Sequence, residues 1–230
     1  MKKNILYILL GIFLLASCQQ ENEIPSGTGY LSVEGIELQS QVVTEVVSRA
    51  VDETLIVELW KGDTKVRKLS AQEMQDKIKL KVANDYSLKV YSSNYGDELT
   101  WSNAEKGDAV YYKEEFFVIE DGKTTPLKVQ VPMITFAVCL DLSKIVGGWL
   151  TGYSFTVTSG ERTVSLSDKE IAYFPYSEGA VISYQLKITN LDSEEKEQSG
   201  VWGANDGEVL DMNTLYTISY DWKTQSLAIR

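Results

Sequence analysis

Ile182-Ser183-Tyr184-Gln185-Leu186-Lys187-Ile188 alternates apolar and polar side chains at every step. A strand turns successive side chains to opposite faces, whereas a helix returns to one face only every three or four residues. The stretch therefore predicts a half-buried β-strand, with Ile182, Tyr184, Leu186 and Ile188 facing a core. The pattern recurs along the chain. Leu55, Val57 and Leu59 alternate with Ile56, Glu58 and Trp60, and Ile78, Leu80 and Val82 with Lys77, Lys79 and Lys81. Tyr86, Leu88 and Val90 alternate with Ser87, Lys89 and Tyr91, and Tyr153, Phe155 and Val157 with Ser154, Thr156 and Thr158. Near the end, Tyr216, Ile218 and Tyr220 alternate with Thr217 and Ser219.

Turn chemistry separates these runs, at Lys61-Gly62-Asp63, Ala83-Asn84-Asp85, Asp121-Gly122-Lys123, Ser159-Gly160-Glu161 and Asn205-Asp206-Gly207. Only Ser70 to Asp76 suggests a helix, of at most two turns. Short strands without alternating helices predict an all-β protein of β-sandwiches, not a parallel α/β sheet. Pro132 interrupts what would otherwise be one strand from Leu127 to Leu142, because proline cannot donate to a central ladder. We place a boundary there, giving two tandem β-sandwich domains over 30–132 and 133–230. The alternative is a bulge within one larger domain.

The first residues, MKKNILYILLGIFLLASC, set two lysines before an apolar run and small residues before Cys18. That order reads as a secretory signal over 1–17, too short and wrongly flanked for a lasting membrane span. Leu15-Ala16-Ser17-Cys18 resembles a bacterial lipobox, which implies lipidation at Cys18. Residues 18–29, polar with Pro25 and two glycines, read as a flexible tether. Glu21 and Glu23 within it resemble the surface-export signals of some Gram-negative lipoproteins.

Cleavage before Cys18 removes Lys2 and Lys3 and leaves 20 basic against 33 acidic residues, a net charge of −13. Such a chain repels phosphate backbones and anionic headgroups, so nucleic acid is not an expected partner and membrane attachment falls to the lipid. The sequence contains no histidine, which removes Ser-His and Cys-His catalysis and imidazole metal sites. With Cys18 lipidated, Cys139 stands alone in the apolar run Thr135 to Leu142 and reads as a buried, inert thiol. No cofactor and no metal site is expected.

Several stretches together resemble a family. Gly29-Tyr30-Leu31-Ser32-Val33 follows the lipobox and spacer, and Ser48-Arg49-Ala50 opens the strand at Leu55. Asp85 to Ser93 (DYSLKVYSS) and Val110 to Val118 (VYYKEEFFV) follow. This order is similar to a Bacteroidota outer-membrane lipoprotein family of unknown function, itself similar in layout to fimbrillin-like surface proteins. The resemblance implies a pair of transthyretin-like or immunoglobulin-like sandwiches, antiparallel and Greek-key, on the outer membrane and facing the cell surface. It implies no reaction. In fimbrillin-type subunits an arginine-specific protease removes an N-terminal strand, and a neighbour's strand fills the groove, a form of β-augmentation. Arg49, with Ala50 after it, matches that cleavage position. The plainer reading is a solvated residue at the start of a strand.

Thirteen tyrosines and five tryptophans invite a second function, capture of a surface polysaccharide by stacking on sugar rings. Of Trp60, Trp101, Trp149, Trp202 and Trp222, the best placed are Trp101 and Trp202, beside the polar segments 94–106 and 200–207. Packing in a core or rim is the commoner role of such residues. The acidic run Asp192 to Glu197 reads as a solvated hairpin tip, without the spacing of a calcium loop. No P-loop, nucleophile elbow or dinucleotide fingerprint is present. The expectation is a non-enzymatic, lipid-anchored surface protein, an adhesion or fimbrillin-like structural subunit. A polysaccharide-binding module is the alternative.

Overall fold

The computed structural model describes residues 27–40, 55–144, 150–221 and 226–229. Cys18, Arg49, Ala50, Trp149 and Trp222 lie outside them. Fifteen strands and almost no helix make up the described chain. In order they are β1 (Thr28–Gln39), β2 (Leu55–Lys61), β3 (Thr64–Lys68), β4 (Ile78–Lys81), β5 (Ala83–Ser92), β6 (Tyr112–Ile119) and β7 (Thr124–Pro132). Then come β8 (Thr135–Asp141), β9 (Leu150–Ser159), β10 (Arg162–Ser165), β11 (Ile171–Pro175), β12 (Ile182–Asn190), β13 (Glu195–Trp202), β14 (Leu215–Asp221) and β15 (Ser226–Ile229).

The strands form four sheets, ordered β4-β1-β7, β3-β2-β5-β6, β11-β8-β14-β15 and β10-β9-β12-β13. The first two enclose one cluster of buried apolar side chains, which includes Leu31, Leu59, Leu88, Ile119 and Val129. The other two enclose a second, with Phe136, Leu140, Phe155, Leu186 and Ile218. Met133 belongs to the first cluster and Phe136 to the second. Strand β7 ends at Pro132 and β8 opens at Thr135.

Strand for strand, β8 to β14 repeat the pairings of β1 to β7. In each set the first strand pairs antiparallel with the fourth and parallel with the seventh. The second pairs antiparallel with the third and the fifth, and the fifth with the sixth. Among the described residues only the second set has an added strand, β15, antiparallel to β14. The sheets are thus rich in antiparallel pairs, as expected, with β1–β7 and β8–β14 as parallel exceptions. Nothing in the alternation of a single strand encodes the direction of a partner some 90 residues away.

The alternating stretches fall in strands with the predicted faces inward, with two departures: Val82 lies just past β4, and Tyr153 is 38% exposed, its hydroxyl accepting the Asp168 N–H at 2.7 Å. Ile182, Tyr184, Leu186 and Ile188 are all buried, as are Tyr216, Ile218 and Tyr220. Gly62, Gly122, Gly160 and Gly207 occupy the predicted turns with positive φ. Ala83-Asn84-Asp85 does not turn. It lies inside β5, where the pairing to β6 slips between Ala83 and Tyr86, because the preceding β4 belongs to a different sheet and the bulge redirects the chain. The acidic run is also shared out, since Glu195 to Glu197 belong to β13 and only residues before them form the hairpin tip. Strand β1 begins at Thr28, inside the stretch that composition assigns to the tether.

The one α-helix among the described residues, α1 (Ala71–Gln75), carries a capping box in which Ser70 and Glu73 satisfy each other's backbone N–H groups. Its Met74 is buried in the first cluster. The outer strand β3 is fully exposed and basic, with Lys65, Arg67 and Lys68, which discourages edge-to-edge pairing. Cys139 is buried, and burial pushes its thiol pKa up.

Candidate functional site

Polar segment 94–109, between β5 and β6, leaves the first sandwich and lies against the second. It closes on itself through the Ser102 backbone N–H, which donates to Glu105 at 2.6 Å. That bond, with a further one from the Ser102 hydroxyl and the nearby Arg162 charge, holds the Glu105 carboxyl below its ordinary pKa. Across the junction, Thr163 N–H donates to the Asn103 side chain at 2.9 Å, and Tyr173 N–H to the Lys106 carbonyl at 2.7 Å. Lys106 also pairs with Glu170 at 3.1 Å.

Arg162 organises this contact. It opens β10, is only 7% exposed, and donates to the backbone carbonyls of Ser102, Glu105 and Tyr173. The planar guanidinium serves three acceptors from one side chain, a geometry lysine cannot reproduce. Its Cζ lies 5.2 Å from the Trp101 ring centroid and 4.9 Å from that of Phe174. Gly107, at φ 70°, lies so close under Trp101 that a Cβ there would meet ring atoms at 2.8 Å.

Beside Arg162 a cleft of about 570 Å³ opens between the two sandwiches. Glu98, Leu99 and Trp101 line it from the first, and Glu161, Pro175 and Tyr176 are among its linings from the second. Glu98 is 8% exposed, and its Oε2 accepts the Gly96 N–H at 2.7 Å. Leu99 is 78% exposed, the most solvent-facing large apolar side chain among the described residues.

The structure treats the two predicted tryptophans differently. Trp101 packs onto its own segment and Arg162 and also lines the cleft. Trp202, at the end of β13, packs against the second cluster and does not line it. Its Nε1 is buried and, among the described residues, has no hydrogen-bond partner.

A further aromatic surface covers the outer face of the β3-β2-β5-β6 sheet. Cross-strand rows run Trp60–Ser87–Phe116, Glu58–Lys89–Glu114 and Ile56–Tyr91–Tyr112. Tyr95 stacks on Tyr112 at 4.8 Å and tilts against Tyr91 at 5.5 Å, while Lys89 Nζ sits 3.9 Å from the Trp60 ring centroid. The polar groups here are spent on one another. Glu58 pairs with Lys65 and accepts from Trp60 Nε1 at 3.0 Å, while Glu114 accepts from Ser87 at 2.7 Å and pairs with Lys89 at 3.7 Å. Burial pushes the Glu58 carboxyl up, but hydrogen bonds from Lys65, Tyr91 and Trp60 outweigh it and hold it below the usual range. Burial, reinforced by the Glu58 carboxylate, raises the Tyr91 phenol to about 12. Sequence reasoning missed this face, although tyrosines at the polar positions of β5 and β6 were a signal for it.

Among the described residues no group of three or more His, Cys, Asp or Glu could hold a metal ion, and no helix is long and apolar enough to cross a membrane.

The fold defines a class: an all-β protein of two like-wired sandwiches meeting at an arginine-centred junction. The chain belongs to the DUF4493 family, a domain of unknown function, which matches residues 27–229. It matches none of the curated proteins. Among solved structures it is similar to a "putative cell adhesion protein" of Bacteroides eggerthii, with 9% identity, 90% of this chain and 96% of that one covered, and a TM-score of 0.45. A "putative adhesin" of Bacteroides ovatus is 11% identical, with 93% and 96% covered and a TM-score of 0.41.

Proposed function

We propose that this chain is a non-enzymatic, lipid-anchored protein of the outer membrane, displayed at the cell surface, that serves adhesion as a structural subunit. Each buried cluster is read as the core of one domain, with the boundary at Pro132. Uncleaved, the chain keeps its lipid anchor; cleavage at Arg49 severs Cys18 from the folded part, and the released subunits join by strand exchange. The observation that carries this reading is the position of β1. It is the central strand of its sheet, between β4 and β7, with Leu31 fully buried and Val33, Ile36 and Leu38 packed on the core. A fully buried Leu or Val side chain contributes about 1.5–3 kcal/mol. Loss of β1 after cleavage at Arg49 would therefore open a groove that demands another strand.

The test is treatment of the full chain with an arginine-specific protease, followed by native gels and N-terminal sequencing. A new N-terminus at Ala50 with ladders, both abolished by Arg49→Ala, is the expected result. A strictly monomeric product refutes strand exchange.

The cleft lined by Trp101 favours a second reading, that the protein also captures a surface polysaccharide.

A further inference from the structure

We infer that the cleft between the two sandwiches is a binding site for a neutral oligosaccharide, assembled from both sandwiches; this rests on the second reading above. Its volume of about 570 Å³ falls in the range of small-ligand sites, roughly 300–1,000 Å³. The charge of the lining selects the ligand. Glu98 and Glu161 present carboxylates, while the Arg162 guanidinium is committed to three backbone carbonyls, so an anionic ligand meets repulsion without a free cationic donor. A cationic ligand is attracted by the two carboxylates, but the Trp101 ring it would stack on is already taken by Arg162, whose own positive charge lines the same cleft. A neutral ligand rich in hydroxyls fits both constraints.

Carboxylates accept hydrogen bonds from hydroxyls, and such charge-assisted bonds are among the stronger ones. Glu98 is held by the Gly96 N–H through one oxygen, and among the described residues it has no ion-pair partner. Leu99, Pro175 and Tyr176 add apolar surface suited to the C–H face of a sugar ring, and Leu99 projects into water unless something covers it. The outer face of the β3-β2-β5-β6 sheet is the rival surface, but its carboxylates Glu58 and Glu114 are already satisfied by neighbouring side chains.

The experiment is tryptophan fluorescence and saturation-transfer NMR on the full chain in a sugar-free detergent. The probes are xylohexaose, mannohexaose and maltoheptaose, against oligogalacturonate as the anionic and chitosan oligomers as the cationic control. At least one neutral oligomer should bind, and neither charged control should bind more tightly. Glu161→Gln and Leu99→Ala should each weaken binding about tenfold at unchanged melting temperature, since Leu99 is 78% exposed, while Phe116→Ala on the outer sheet face has no effect. Binding that survives both cleft substitutions, or that favours a charged control, overturns the cleft assignment and leaves the polysaccharide reading standing at another surface. No binding by any oligomer overturns both.

Discussion

Replacing Arg162 with alanine should destabilise the protein by about 2–4.5 kcal/mol. The figure follows from what the guanidinium holds: the carbonyls of Ser102, Glu105 and Tyr173, at a position 7% exposed. A hydrogen bond from a charged donor contributes about 1.5–3 kcal/mol. Three such bonds sharing one side chain are not additive, and carbonyls in the 94–109 segment regain some water when the guanidinium is lost, so the sum is cut by roughly half. For a chain of this length each kcal/mol moves the melting temperature by about 2–4 °C, which puts the expected fall near 10 °C. Urea denaturation followed by tryptophan fluorescence measures it, because Trp101 sits against the side chain removed. Arg162→Lys keeps the charge but not the fork and should recover less than half of the loss. If Arg162→Ala costs less than about 1 kcal/mol, the junction is not held by this residue and the reasoning fails.

Leu31→Ala, at a fully buried position of the central strand β1, should cost about 3 kcal/mol in the same denaturation experiment, the middle of the range for such truncations. Gly107→Ala combines a left-handed backbone with a contact of 2.8 Å to the Trp101 ring, so a loss of about 1–3 kcal/mol and a shifted emission maximum are expected. The Tyr91 phenol, raised from its ordinary 10 to about 12, stabilises the fold fully below pH 10, and that contribution is lost as pH rises towards 12. Tyr91→Phe should flatten the fall of melting temperature across that interval, and an unchanged slope would count against the assignment.

Much of the fold was legible because period two is a local property. Leu55 to Trp60 and Ile182 to Ile188 declare which side chains face inward whatever strand lies beside them. The turns at Gly62, Gly122, Gly160 and Gly207 were legible for the same reason, since a positive φ is a demand on one residue. The Ala83-Asn84-Asp85 misreading shows the limit: turn-like residues also suit a bulge, and only the partner strand decides between them. Of the candidate site, Trp101 was nameable as an aromatic in a polar segment, yet nothing near it points to Arg162, which arrives from 61 positions further along. Glu98, Leu99 and Tyr176 carry no motif and become a lining only because two sandwiches meet there.

By itself, then, the sequence determined the all-β class, most of the inward faces, the short helix at Ala71–Gln75 and the interruption at Pro132, through backbone preferences that act within a few residues. Tertiary structure decided the rest. The parallel pairing of β1 with β7 and of β8 with β14, the repetition of one wiring in both sandwiches and the Arg162 junction all join residues distant in the chain. Such contacts form only when hydrophobic burial brings whole sheets together, and that burial is non-directional, so the local pattern carries no record of which partner it will select.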